Sequence, residues 1–478
     1  MKRTKIVCTI GPATSGVEVL KQMIKAGMNV ARINFSHGGY KDQEKYINAV
    51  KQARKEVGLP VALLLDTQGP EIRTGKLIES PVNLVAEDTF TLVNEDIEGD
   101  KTRTSVTYKD LYKDVKPGTT ILIDDGKIEL EVTSIQGKDV VCKIMNGGSL
   151  GSKKSINIPG THINLPALKE KDITDLIDGC TSEFDYIAAS FIRTADDVRA
   201  IRKVLNENGG KDIKIISKIE SQEGIDNFDE ILEVTDGVMV ARGDLGVEIP
   251  MECVPIAQKN FIKKCNKAGK IVITATQMLE SMTENPRPTR AEVSDVANAV
   301  YDVTSAIMLS GESAMGKYPV ICVETMSKIA EAIEGDINYG KRIGKRECDV
   351  NETFVNYEFY LNYAICGTAR QMNAKAIFAY TQGGDTPRII SSFMPNCPIF
   401  AVTGNEKTYR QLALVNNVTP ILITTEADPK KMISLGIEEA KKANLLATGD
   451  VVAVAGGDTI LAKDNDKMNR TIGGVIRV

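Results

Sequence analysis

A chain of 478 residues with 42% hydrophobic and 26% charged side chains has the balance of a globular protein and can bury a large core. At roughly 150 residues per domain it holds about three domains, or one large barrel with additions. Its net charge of −5 excludes nucleic acid and an anionic membrane surface as the main partner, so any anion site must be local.

Two further classes drop out. No apolar run approaches the ~18 residues of a membrane span. Lys5 and Pro12 leave no room for a signal-peptide core after the basic start "MKRTKIVCTIGPATS". Nine cysteines, scattered and without a CxxC pair, point to reduced thiols in the cytoplasm and not to a disulfide framework. The two histidines, His37 and His162, cannot build a His-rich zinc site.

In chain order, the first predicted elements are buried parallel strands. "KIVCTI" (Lys5–Ile10), "NVARINF" (Asn29–Phe35) and "VALLLD" (Val61–Asp66) are short apolar runs that suit a sheet covered on both faces. Between the first two, "VEVLKQMIKAG" puts Val17, Leu20, Met23 and Ile24 on one helical face and ends on Gly27, a suitable stop. A long gap follows. Its middle, "TTILIDDGKIELEVTSIQGKDVVCKI", alternates apolar and polar residues around "DDG" and "QGKD" turns, as a meander does. Residues 70–165 are therefore expected to form a small all-β domain inserted after the third strand. Its entry, "QGPEIRTG", holds Gly69, Pro70 and Gly75, which suit a hinge.

The rhythm then resumes with "DYIAAS" (Asp185–Ser190), "IKIISKIE" (Ile213–Glu220), "GVMVA" (Gly237–Ala241), "IVITAT" (Ile271–Thr276) and "AIMLS" (Ala306–Ser310). Eight such strands alternating with helical patterns predict a closed (β/α)8 barrel. "EGDINYGKRIGKRECDVN" reads as a linker. Beyond it, "KAIFAYT", "CPIFAVT", "TPILIT", "VVAVAG" and "GGVIRV" predict an open, doubly wound α/β domain.

Side chains at the carboxyl ends of barrel strands converge on one site. Here those ends carry Arg32, Asn34, Ser36, Asp66, Thr67, Lys218, Glu220, Asp244, Thr276, Ser310 and Glu312. Alternation sets Lys218 and Glu220 on one face of an otherwise apolar strand, aimed into the barrel mouth. A surface ion pair on an edge strand is the competing reading. Asp244, in "GVMVARGDLGVEIP", is either a helix N-cap or a second carboxylate beside Glu220. Two carboxylates from adjacent strand ends suit Mg2+, which takes its remaining ligands from water and substrate oxygens. Backbone N–H groups near Gly243 offer an anion seat.

Arg32 and Asn34 also share a face, and a planar guanidinium clamps phosphate or carboxylate. Asn34, Ser36, Asp66 and Thr67 supply oxygens for a weakly charged hard cation, or a polar network that orients the loop. Thr276 donates to a substrate carboxylate or satisfies the backbone. Arg73 and the pair Lys153–Lys154, at opposite ends of the insert, close over a polyphosphate if the insert is a lid, and are solvated surface cations otherwise. In "FAYTQGGDTPRI", Thr381, Gly383, Gly384 and Thr386 make a phosphate cradle or a plain turn. The residues alone describe a Mg2+-dependent barrel enzyme acting on a small phosphorylated acid, with the insert shutting water out.

Taken together, "IISKIESQEGIDNFDEILEVTDGVMVARGDLGVEIP", "TKIVCTIGPAT", "GMNVARINFSHG", "LDTQGPEIRTG", "ATQMLESMTENPRPTRAEVSDVANAV" and "IMLSGESAMGKYP" closely resemble the pyruvate kinase family. The resemblance runs over essentially the whole chain. It implies a TIM-barrel domain over residues 1–69 and 166–345, a β-barrel lid over 70–165 and a C-terminal open α/β regulatory domain over 346–478. It implies transfer of the phosphoryl group of phosphoenolpyruvate to ADP, giving pyruvate and ATP in the last step of glycolysis, with Mg2+ and K+ as cofactors. It also implies a cytoplasmic homotetramer under allosteric control. A sugar phosphate is the candidate effector, at Thr381, Gly383, Gly384 and Thr386.

Matched position by position, the resemblance gives Glu220 and Asp244 to Mg2+, and Lys218 to the charge on the moving phosphoryl group and the enolate. Arg32 grips the phosphate of phosphoenolpyruvate, while Gly243, Asp244 and Thr276 position its carboxylate end. Asn34, Ser36, Asp66 and Thr67 match K+ ligands, and Glu71 is the residue type usual in K+-dependent members. Asn34, Phe35, Ser36, His37, Arg73 and Lys154 match nucleotide-side positions. Gln68 stands where a lysine is usual, and "TQGGDT" replaces a Thr-x-Ser-Gly-x-Thr pattern, so the effector stays open.

Overall fold

A computed structural model describes residues 1–340, 357–426, 428–456 and 472–478. Eight parallel strands close into a barrel in chain order. They are Lys5–Thr9, Val30–Asn34, Ala62–Asp66, Tyr186–Ala189, Lys214–Ile219, Gly237–Ala241, Ile271–Ala275 and Ala306–Leu309, called barrel strands 1 to 8 below. Each falls inside its expected run, because runs this short and apolar on both faces are stable only between a filled interior and a helical jacket. The expected first helix spans Val17–Ala26, buries Leu20, Met23 and Ile24, and stops on Gly27 at φ 118°.

Alternation decides what faces inward. Ile33, Leu65, Ile187 and Ile215 point out into the core shared with the helices. Val30, Ala62, Leu64, Tyr186, Ala188 and Ile216 point into the barrel. Carried on by period two toward the carboxyl ends, the inward series runs Val30, Arg32, Asn34; then Leu64, Asp66; then Ala188, Ser190; then Ile216, Lys218, Glu220. The charged rim is thus the upper layer of the packed interior.

After barrel strand 3 the chain builds a separate sheet of seven strands. Its edge strands, Ile72–Arg73 and Arg103–Ser105, meet where Thr107 N–H donates to Arg73 O at 3.0 Å and Gly75 N–H to Ser105 O at 2.7 Å. The sheet therefore wraps on itself around its own core, which includes Phe90, Ile121, Leu130 and Cys142. Its "DDG" turn is made by Asp124, Asp125 and Gly126, all at positive φ.

The C-terminal sheet places Val418–Leu422, Ile399–Thr403, Ala376–Tyr380 and Val451–Gly456 parallel, with Ile472–Arg477 antiparallel at one edge. It closes the amino end of the barrel. Tyr186 Oη donates to Gln411 O at 2.6 Å, Lys5 Nζ to Val418 O at 2.7 Å, and Arg410 Nε pairs with Asp185 Oδ1 at 3.0 Å. Most of the expected linker, from residue 341, lies outside the described residues. No helix among the described residues is long and apolar enough to cross a membrane. The eight cysteines described are all free.

Candidate active site

Lys218 is the centre of the rim. Its Nζ donates to Ser190 Oγ at 2.8 Å and to Asp66 Oδ1 at 3.2 Å, and it lies 3.0 Å from Glu220 Oε1. The edge-strand reading of Lys218 and Glu220 fails, because both are buried and strand 5 is paired on both sides. Burial pushes the Lys218 ammonium toward a lower pKa, but Asp66, Glu220 and Asp244 more than reverse this and leave it above an ordinary lysine. Burial pushes the Glu220 carboxyl up; Lys218 opposes and Asp244 adds to the rise.

Glu220 has one committed oxygen and one open one. Oε2 accepts Phe191 N–H at 2.6 Å. Oε1 has the ion-pair contact with Lys218 but no hydrogen bond of good geometry. Asp244 stands in the first turn of the helix Arg242–Glu248 after strand 6, and its charge is felt at both Lys218 and Glu220. Its side chain makes no N-cap bond there. A buried carboxylate oxygen left open beside a second carboxylate fits a hard divalent cation.

Arg32 is fixed by two bonds, Nε to Asp66 Oδ2 at 2.6 Å and Nη1 to Thr9 Oγ1 at 2.8 Å. Among the described residues, no hydrogen bond is made by its Nη2, which leaves a guanidinium edge for an anion. Asn34 Oδ1 accepts Ser36 N–H at 3.1 Å, and Thr67 O accepts the Ser190 hydroxyl at 2.6 Å. These oxygens form the orienting network, and their second lone pairs still suit a monovalent cation. Phe35 adds only backbone: its ring packs edge-on against Phe184 and its carbonyl accepts from Lys171 Nζ at 2.7 Å. His37 is exposed.

Thr276 accepts Gly243 N–H at 2.8 Å and donates to Ala275 O at 2.6 Å, so its hydroxyl braces the Gly243 turn. Thr276 and Gln277 both have positive φ, at 67° and 53°. That conformation is uncommon for a β-branched residue and marks a strained strand end. Arg242 holds it, donating to Thr276 O at 2.6 Å and Ala275 O at 3.1 Å. Glu312 does not join the cluster; its oxygens accept Ser310 N–H at 2.7 Å and Leu279 N–H at 3.1 Å.

The lid pairs Arg73 with Ser155, and Lys154 just before that strand is held by Thr74 N–H donating to Lys154 O at 2.8 Å. Arg73 Nε pairs with Glu71 at 2.8 Å and Lys154 with Asp124 at 2.9 Å. Asn157 of the lid donates to Glu248 Oε1 at 2.8 Å, on the helix that carries Gly243 and Asp244. A cleft of about 390 Å³ lies between lid and barrel, bordered by Glu71, Asn157, Phe191, Asp244 and Glu248. In the C-terminal domain Thr381 Oγ1 accepts Gly384 N–H at 2.8 Å and Gly384 has φ 92°, closing a turn before the helix Asp385–Ser392.

Sequence reasoning missed Ser190, the Phe191 N–H, Arg242 and the Asn157–Glu248 bond. The parity that selected Lys218 also puts Ser190 inward, one step beyond Ala188, so that signal was present. The other contacts join residues distant in the chain and leave no local pattern.

A charged rim on a closed parallel barrel, with a β lid beside it, defines a barrel enzyme for an anionic substrate. Residues 1–323 match the family model described as pyruvate kinase, barrel domain, and residues 361–469 match pyruvate kinase, alpha/beta domain. Pyruvate kinase of Clostridium acetobutylicum is 51% identical over 458 residues, 96% of each chain. That of Clostridium perfringens is 48% identical over 458 residues, again 96% of each. A solved pyruvate kinase from Cryptosporidium parvum superposes with a TM-score of 0.93 at 38% identity, covering all of this chain and 96% of that one. The chain belongs to the pyruvate kinase family. It is a phosphotransferase, acting between phosphoenolpyruvate plus ADP and pyruvate plus ATP.

Proposed function

We propose that the rim described above performs this transfer, with Lys218, Arg32, Glu220 and Asp244 as its working parts. The observation that carries the assignment is the convergence of one buried ammonium and two carboxylates, from strand 5 and the helix after strand 6, at the barrel mouth. Arg32 binds the phosphate of phosphoenolpyruvate with its free guanidinium edge. The Gly243 N–H region, braced by Thr276, orients the carboxylate end together with Asp244. Lys218 stabilises the charge that grows on the transferring phosphoryl group and on the enolate oxygen. A cation placed where charge develops helps the transition state more than the ground state.

Glu220 and Asp244 would hold Mg2+, which when bound supplies a Lewis acid to substrate oxygens. Asn34, Ser36, Asp66 and Thr67 would hold K+. Asn34 to His37, Arg73 and Lys154 face the nucleotide, and the lid shuts water from the site. Thr381, Gly383, Gly384 and Thr386 form the seat of a sugar-phosphate effector. The reading extends to a cytoplasmic homotetramer; Ile256, Val293 and Ile321, exposed on three successive outer helices, support burial against other copies.

A coupled assay of pyruvate formation, scanning Mg2+, K+ and sugar phosphates, tests this. ADP-dependent turnover that needs Mg2+ and rises with K+ is expected. Turnover indifferent to both ions would remove the metal assignments.

A further inference from the structure

Strand 4 carries none of the residues matched to the reaction, yet its carboxyl end touches both working side chains of strand 5. We propose that Ser190 is a positioning residue for Lys218, holding the ammonium so that one N–H is presented to the reacting group. This rests on the reading of Lys218 given above.

The hydroxyl's bonding can be assigned from its neighbours. Ser190 Oγ has one proton to give, and Thr67 O, which can only accept, lies at 2.6 Å. The more distant Asp66 Oδ1, at 3.2 Å, does not compete for it. The oxygen's lone pairs therefore face Lys218 Nζ at 2.8 Å. Ser190 N–H is tied in turn to Thr67 Oγ1 at 3.1 Å, so the acceptor is itself anchored. An ammonium has three N–H groups. Ser190 and Asp66 take two, and the third meets Glu220 Oε1 at 3.0 Å as an ion pair of poorer alignment. With Ser190 and Asp66 holding the other two, that third N–H is the one that can turn to a substrate oxygen.

The backbone is shaped for this. Phe191 has φ 55°, uncommon for an aromatic residue, and its N–H reaches Glu220 Oε2 at 2.6 Å. One strained turn thus supports Lys218 by a side chain and Glu220 by the main chain. Gly69, at the lid entry, packs so closely that a Cβ there would lie 2.8 Å from Ser190 Cβ. Both Ser190 and Lys218 are buried, so water cannot replace the missing acceptor freely.

The test is a double-mutant cycle of Ser190→Ala and Lys218→Met, read by steady-state kinetics with Mg2+ and K+ saturating. Ser190→Ala is expected to lower kcat by about 10- to 100-fold, the usual loss for a supporting contact, with KM for phosphoenolpyruvate changed by less than about threefold. In the Lys218→Met background the same change is expected to lower kcat by less than about twofold, because the group it positions is gone. A Ser190→Ala enzyme within about twofold of the parent kcat, or losses that multiply in the double variant, would overturn the proposal. An unimpaired Lys218→Met enzyme would instead overturn the reading of Lys218.

Discussion

Lys218 Nζ lies 3.2 Å from Asp66 Oδ1, although the two stand on barrel strands 5 and 3 with strand 4 between them. The other Asp66 oxygen meets Arg32 Nε at 2.6 Å, so one carboxylate spaces two cations around the rim. Burial alone would push the Asp66 carboxyl up, but Arg32 and Lys218 hold it below the usual aspartate value. The site is therefore charged and ordered before any substrate arrives, the condition for preorganised electrostatic catalysis.

Lys218→Met removes the cation that Asp66 and Glu220 share. Turnover should fall by about 10³-fold, while KM for phosphoenolpyruvate stays within about fivefold because Arg32 remains. Initial rates at saturating ADP check both numbers. An unchanged kcat removes Lys218 from the mechanism.

Glu71 pairs with Arg73 at the lid entry, at 2.8 Å. The family resemblance makes Glu71 the position where a lysine replaces the ion, and we propose the same here, so in Glu71→Lys the ratio of rates with and without K+ should fall toward unity. Assays with tetramethylammonium replacing K+ at constant ionic strength measure it. Full dependence on K+ in the variant would refute this role for Glu71.

Asn157 links the lid to Glu248, whose carboxyl is raised by burial and eased down by this bond. Asn157→Ala leaves a largely buried acceptor short of a partner. We expect kcat/KM to drop by about tenfold, and amide exchange at residues 155–165 to speed up as the lid loosens. Hydrogen exchange with mass spectrometry reads the second effect; identical exchange and kinetics would mean the bond does not tether the lid.

Arg410 of the C-terminal domain pairs with fully buried Asp185 at the foot of strand 4. Arg410→Ala removes the cation that contacts this charge, leaving the neutral Leu63 N–H bond at 2.9 Å and the more remote Arg54. A loss of about 3–5 kcal/mol in urea denaturation is expected. Asp185→Asn in the same chain should recover much of it, and no recovery would show that charge is not the cause.

Lys5 sits under the barrel against Val418 O. Burial pushes its ammonium down to about 7, with Lys2 adding to the shift and Glu334 opposing, against an ordinary value of 10.5. Between these values the unfolded chain binds the extra proton, so stability should rise with pH from about 7 to 10.5 and fall on the way down. One such group gives a slope of up to about 1.4 kcal/mol per pH unit. Lys5→Met should flatten the curve by that amount. Denaturation at about pH 7.5 and about pH 9 tests it, and parallel curves for the two proteins would reject the assignment.

Much of the fold was legible because its signals are local. Eight apolar runs of strand length, Gly27 as a helix stop and the "DDG" turn each depend on a few adjacent residues. The strand-end list was less selective. It included Glu312, whose carboxylate binds backbone at the rim, and Ser310, whose hydroxyl makes no hydrogen bond among the described residues, and left out Ser190, which contacts the lysine. For Thr276 the sequence left a donor to substrate and a prop for the backbone equally open, and the contact its hydroxyl makes with Gly243 N–H had no local signal. A polar residue at a strand end states its face but not its partner.

The order of residues determined by itself which side chains share a face. The pleat has a period of two, so Lys218 and Glu220 had to point together, as did Arg32 and Asn34. Tertiary structure alone decided which faces meet. Barrel closure brings Asp66 of strand 3 to Lys218 of strand 5, the wrapped lid sheet sets Arg73 opposite Ser155, next to Lys154, and the C-terminal domain delivers Arg410 to Asp185. Those contacts join segments far apart in the chain, and only the packing that buries both partners selects them.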